Sequence, residues 1–303
     1  MKRTIIITAA AAALMLGACT KTGKVETPEF ITVSTGIGFM SKVTTAADGS
    51  QTFSTGDEIS IYAWIGDPAV APAADARVVD NSLNKLAPDG NWIAAPQMLW
   101  KNLTEKHYFI GIYPSKPQSI ADLAQLSHKV NMTDQTSSDL LIASELAGKV
   151  AQSNPVPLTF DHVMAKVSIE LTYRNQWADE YADQGGIPDV EEVSIADVAS
   201  DATVNCLTKA VTAGSAKAAV AVPAVENNKK YVSVIVPQTG VKSVTVKING
   251  RNYTYTHRED FKFESGKITT IKLIVGRNQI DLGDVQINGW TSGETIDGGE
   301  ALD

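Results

Sequence analysis

The amino-acid sequence predicts an all-β protein, built of β-sandwiches with a few short helices. Three observations carry that prediction. The strongest periodicity is two residues: Val167, Ile169, Leu171 and Tyr173 alternate with Ser168, Glu170 and Thr172, which gives a strand one dry and one wet face. Turn residues break such runs at short spacing, and many short strands so divided imply sandwiches. Helical pattern is scarce and never long enough to build a helical layer.

Taken in order, strands are expected at 30–39, 59–63, 108–113, 167–173, 244–248, 253–255 and 271–273. Asn249-Gly250 lies between two of these runs and predicts a tight hairpin, because both residues tolerate positive φ. In the last strand Ile280 and Leu282 share one parity while Val285 and Ile287 share the other. Gly283 between them is where a bulge can reset the face, after which Trp290 is expected to cap a sandwich edge. Residues 121–126, 140–147 and 177–182 are expected to form a few helical turns each. The pair Pro155 and Pro157 interrupts regular structure, which predicts a boundary between domains at 30–157 and 158–303.

The N-terminus reads as an export signal. Met1-Lys2-Arg3 is basic, residues 5–16 are apolar, and Leu16-Gly17-Ala18-Cys19 closes the segment with small residues. That tetrapeptide resembles a bacterial lipobox, so residues 1–18 are expected to be a lipoprotein signal peptide and Cys19 the acylated residue; the alternative is an ordinary secretory leader cut elsewhere in its Ala-rich end. Three acyl chains anchor a protein stably. Residues 19–29 read as a polar tether to an outer membrane, and no later apolar run approaches the roughly 20 residues of a membrane-spanning helix.

Composition and spacing exclude several functions. The chain has 303 residues, with 26 Lys plus Arg against 34 Asp plus Glu and a formal charge of −8. Nucleic acid is therefore not an expected partner, since phosphate affinity rests on clustered basic residues. Asp161 and His162 are adjacent, but neighbours in a strand point to opposite faces, so they are expected to form no dyad. His107, His128 and His257 stand apart without the spacing of a zinc site, and no nucleophile elbow or dinucleotide loop is present. No catalytic residue, cofactor or metal is nominated; the acidic stretches 183–192 and 294–303 lack the ligand spacing of a calcium loop. Cys206 has no intramolecular partner once Cys19 is acylated, and its alternation with Val204 suits a buried apolar role. Trp64, Trp92, Trp100 and Trp177 read as core, or else as stacking platforms for sugars.

A set of motifs then occurs in order: Phe53-x-x-Gly56-Asp57-x-Ile59, the Trp92 and Trp100 pair before Tyr113-Pro114, and Ser138-Asp139-Leu140-Leu141-x-Ala143. Leu158-x-Phe160-x-His162-x-x-Ala165-Lys166-Val167, Val236-Pro237-Gln238-Thr239, Phe263-x-x-Gly266 and Gly289-Trp290 follow. Behind a lipobox, this series resembles the fimbrillin family, lipoprotein-derived subunits of type V pili, and in particular its minor-fimbrillin-like branch. The resemblance implies two transthyretin-like β-sandwich domains, a structural role in a surface fimbria, and no catalysis. It also implies strand exchange with other fimbrial subunits, after a protease removes the N-terminus together with the first strand. The candidate exchangeable strand carries Ile31, Val33, Ile37 and Phe39 on one parity. The resemblance implies a protease that commonly favours Arg, yet no Arg lies between Arg3 and Arg77, so Lys42, the nearest basic residue after the strand, is the candidate processing position, and retention of the lipid-bearing strand stays open beside its excision. The alternative function is a lipid-anchored glycan-binding module of the cell surface.

Overall fold

The computed structural model describes residues 29–38, 52–131, 134–178 and 180–289. Its first part supplies β1 (Val33–Ile37), β2 (Glu58–Ile65), β3 (Val79–Leu86), β4 (Trp92–Ala95), β5 (His107–Tyr113), β6 (Leu126–Lys129), β7 (Leu141–Lys149) and β8 (Val156–His162). Seven of these strands form one sheet in the order β1-β8-β7-β5-β2-β3-β4. β1 runs parallel to β8, and the remaining neighbours are antiparallel.

The later part supplies β9 (Ala165–Tyr173), β10 (Val190–Ala199), β11 (Asp201–Val204), β12 (Val211–Ala213), β13 (Lys217–Ala221) and β14 (Ala224–Glu226). It continues with β15 (Lys230–Ile235), β16 (Ser243–Ile248), β17 (Arg251–Thr256), β18 (Lys267–Val275) and β19 (Ile280–Gly289). Two sheets, β13-β10-β16-β17 and β14-β15-β9-β18-β19, share a core in which Val167, Ile169, Ile271 and Leu273 join Val193, Val244 and Val246. Trp177 ties them together: its indole N–H donates to Val275 O at 3.0 Å, and its ring meets Tyr253 of β17 edge-on. The protein is all-β, and both of its units are sandwiches.

The second layer of the first sandwich is a small sheet, β12-β11-β6, in which β6 pairs antiparallel with β11. Tyr62, Trp64, Ile110 and Ile112 from the large sheet share a core with Leu126 and Val204 of this small one. Ile59, Ile61 and Ala63 lie on the opposite parity, in a separate core with Ile31, Val33, Met98 and Phe160. β2 is thus covered on both faces, and its six central residues are all buried.

Three expectations need correction. Residues 140–147 are not helical: they form most of β7, where Leu140 and Ile142 enter one core and Leu141 and Ala143 the other. A continuous apolar run between two covered faces has no period to read, which is why it mimicked a helix. Residues 121–126 form a turn leading into β6, fixed by pairing with β11. In place of a helix at 177–182, two short 3-10 turns occur, Asn175–Trp177 and Ala182–Gln184.

The boundary expected at 157/158 lies within β8, Val156–His162. Val156 N–H donates to Thr32 O at 2.8 Å, so in the parallel ladder the alternate nitrogen, at Pro157, faces away from β1. β7 meets β8 only from Phe160 onward, so no neighbour asks Pro157 for a donor, and proline is tolerated there. The chain passes from the first large sheet to the next between β8 and β9. The strands β11 and β12 then return to complete the first sandwich, so no single cut in the sequence separates the two units.

Two local expectations hold. Asn249 and Gly250 turn with φ of 49° and 73° between the paired strands β16 and β17, the left-handed geometry of a type I′ hairpin. In the β18–β19 ladder Lys272 faces Asp284 and Leu273 faces Leu282, which leaves Gly283 as the extra residue of a bulge. Leu282 and Val285 accordingly pack against the same core. Trp290 lies outside the described residues.

Candidate functional site at the first strand

β1 stands at the edge of the large sheet, and its side chains follow the expected parity. Ile31 and Val33 are buried, and Ile37 is half-buried. Phe39, Lys42 and Cys19 lie outside the described residues. The backbone alternates too. Val156 N–H donates to Thr32 O and Gly38 N–H to Phe160 O, so even-numbered residues bond β8 while odd-numbered ones face the opposite way. At the start of the segment that opposite side is occupied: Ile31 N–H donates to Met98 O at 2.9 Å and Trp100 N–H to Glu29 O at 3.2 Å. Trp100 adds its indole N–H, donated to Phe30 O at 3.1 Å.

Further along, the edge of β1 borders a cleft of about 310 Å³, lined by Phe53, Leu86, Asn91 and Trp92. Trp92 reaches across it, donating its indole N–H to Thr35 Oγ1 at 3.1 Å. Phe53 sits below with its ring edge-on to Trp92, Tyr113 and Phe160, each at 5.3 Å between centroids. Such contacts add specificity to the area they bury. Gly111 on β5 makes room for this cluster, because a Cβ there would strike the Phe160 ring. Tyr113 donates its hydroxyl to Asp57 Oδ1; burial, reinforced by that carboxylate, pushes the phenol up to about 12.

At the far end of β1 a Cβ on Gly38 would strike the Asp161 carboxylate, which pairs with Lys209 at 2.5 Å. His162, next in sequence, turns to the other face and places Nδ1 at 2.5 Å from Asp139 Oδ1. Acid and base side by side in sequence are thus on opposite faces, as strand geometry demands. Sequence reasoning missed Asp139 as the partner of His162, although both lie in motifs already singled out. Burial pulls the His162 pKa below the usual imidazole value against the opposing pull of Asp139. Cys206 is fully buried, with its thiol pushed up to about 12 by desolvation, which leaves it no nucleophilic role. Trp64, Trp92, Trp100 and Trp177 are all buried and form no sugar-stacking platform.

The geometry defines a class first: an all-β sandwich protein with an edge strand laid over an aromatic core. A family model described as fimbrillin-like matches residues 44–290, and the chain belongs to that family. Among solved structures it is similar to a protein assigned to cell adhesion from Bacteroides uniformis, with 18% identity over 86% of this chain and 99% of that chain and a TM-score of 0.64. A second protein assigned to cell adhesion, from Bacteroides ovatus, gives 16% identity over 88% and 99% with a TM-score of 0.64. A fimbrial protein from Bacteroides vulgatus gives 12% identity over 87% and 100% with a TM-score of 0.53. At these identities the likeness shows the fold. No curated protein sequence matches. Membership of the family makes the chain a fimbrial or adhesion-related subunit of the cell surface, structural and not enzymatic.

Proposed function

We propose that this chain is an accessory or anchoring subunit of a type V fimbria. In this reading, acyl chains on Cys19 hold it at the outer membrane, and it joins neighbouring subunits by strand addition at the groove that β1 fills. The observation that carries the reading is the place of β1: an edge strand that, among the described residues, pairs with β8 alone, covering a core that holds Trp92, Trp100 and Phe160. Withdrawal of such a strand uncovers apolar surface and an unpaired edge, which a donated strand can satisfy.

Retention of β1 is favoured over excision. The first arginine after Arg3 is Arg77, and its side chain is wholly enclosed. Its guanidinium donates to Pro72 O, Asp80 Oδ1, Ile120 O and Ala121 O, out of reach of an arginine-directed protease acting on the folded chain. Lys42 is left as the processing candidate. Intact mass and N-terminal sequencing of surface material test the proposal. Acylated Cys19 supports an anchored subunit, whereas a chain starting at Val43 makes it a polymerising pilin.

A further inference from the structure

Eight large apolar side chains stand exposed among the described residues, and five of them gather at one end of the first sandwich. They are Phe30, Val70, Leu99, Leu103 and Val150, exposed by 46% to 62%. Strand directions bring them together. The start of β1, the β2–β3 connection, the segment after β4, the turn before β5 and the β7–β8 loop all lie at that end, because His107 pairs with both Ile65 and Lys149. Phe30 and Leu99 bridge directly, and Asn102 Oδ1 caps the following turn by accepting from Thr104 and Glu105 N–H. Exposed apolar residues scattered singly need no explanation, but a cluster on one end does.

We infer that this end of the first sandwich docks on a lipid surface, with Phe30, Leu99 and Leu103 set into the interface. The inference rests on the acyl anchor proposed above. Cys19 lies only ten residues before Glu29, and a chain spans at most roughly 3.3–3.6 Å per residue, so the anchor holds this end within about 35 Å of the bilayer. Glu29, the first described residue, stands at this end, next to Phe30 and accepting Trp100 N–H at its carbonyl. Charges at this end are mixed, Lys101, Lys106 and Lys149 against Glu29, Asp67, Asp75 and Glu105. Apolar contact, and not attraction to anionic lipid, therefore drives docking, and salt has little effect on it.

The test places an environment-sensitive fluorophore on Leu103→Cys, or on Val225→Cys, a control position 63% exposed on the second sandwich. Cys206 is buried and does not compete for label. The chain from residue 20 is held through an N-terminal histidine tag on vesicles of phosphatidylethanolamine and phosphatidylglycerol containing nickel-chelating lipid. Docking is then read whether or not cells acylate Cys19, and intact mass judges the anchor separately. Brominated lipid is expected to quench the Leu103→Cys label at least about threefold more than the control. Adding Phe30→Ser and Leu99→Ser should remove the difference while the thermal transition persists; should that pair unfold the chain, Val70→Ser with Val150→Ser serves instead. Equal quenching at the two positions overturns the inference. So does a Leu103→Cys label that is shielded only in assembled fimbriae, which would make this end an interface between subunits.

Discussion

The indole N–H of Trp92 donates to Thr35 Oγ1 at 3.1 Å, so that β4, at one edge of the seven-stranded sheet, holds β1 at the other. The sheet curls until its two edges face each other across the aromatic core. Thr35→Val keeps the shape of the side chain but removes the acceptor, leaving the N–H of a nearly buried Trp92 unsatisfied. The expected cost is about 1–2 kcal/mol, with earlier proteolysis within β1. Urea unfolding with an unchanged midpoint would show that the bond holds nothing.

Acid should weaken the fold before most carboxylates titrate. His107, His128 and His162 are buried, and desolvation pulls each pKa below the ordinary value, against the Glu105 carbonyl, the Ser138 carbonyl and the Asp139 carboxylate respectively. Lys116 lowers His128 further, and Lys166 lowers His162. Below about pH 6.5 the unfolded chain binds protons that the folded chain refuses, so stability is full above that value and falls as pH drops through it. The melting temperature should be lower at about pH 5.5 than at about pH 7.5. Equal values would mean that these histidines titrate alike in both states.

Much of the fold was legible because it is local. β9, β16 and β18 show alternation in sequence, since each carries one parity into a core, and the Asn249-Gly250 turn is written in two residues. What was illegible is non-local. β7 looks helical because two different cores cover its faces, and the proline-flanked start of β8 looks like a linker because only its neighbours show which nitrogens need a partner. The pairing of β6 with β11 joins residues more than seventy positions apart, with no pattern to announce it. At the candidate site the parity of Ile31, Val33 and Ile37 was readable. Trp92 and Phe53 as the floor of the cleft were not, because the curl of the sheet brings them there.

The bulge at Gly283 gives a prediction opposite to ordinary loop tolerance. Gly283 lies against Lys272 O, where an added Cβ would come within 3.2 Å, and its extra residue brings both Leu282 and Val285 to the core. Inserting one alanine after Gly283 adds a second unpaired residue and turns everything after it to the other face, taking Val285 away from its partner Ile271. That insertion should lower stability by about 2 kcal/mol or more, comparable to truncation before Gln279, whereas deleting Gly283, which leaves Leu282 and Val285 on one parity of a regular strand, should cost less. If the insertion variant melts with the parent, β19 does not depend on its register.

Ile31 and Ile37 share a parity on the same short segment but differ in depth, and the difference separates a strand that must stay from one that can leave. Ile31 is fully enclosed in the core with Trp92, Met98 and Trp100, whereas Ile37 is half-buried near the end of β1. Ile31→Ala should cost about 2–5 kcal/mol and Ile37→Ala less than about 1.5. Because the Ile31 side chain must leave the core whenever β1 withdraws, its truncation should also speed uptake of a labelled peptide spanning residues 29–38. Ile37→Ala should change that rate little, as its side chain is already partly in water. Urea unfolding supplies the first comparison and fluorescence anisotropy of the peptide the second. If Ile31→Ala is destabilised as expected yet takes up peptide no faster than the parent, β1 is a permanent part of the sandwich and strand addition at its groove is the wrong assembly mechanism for this subunit.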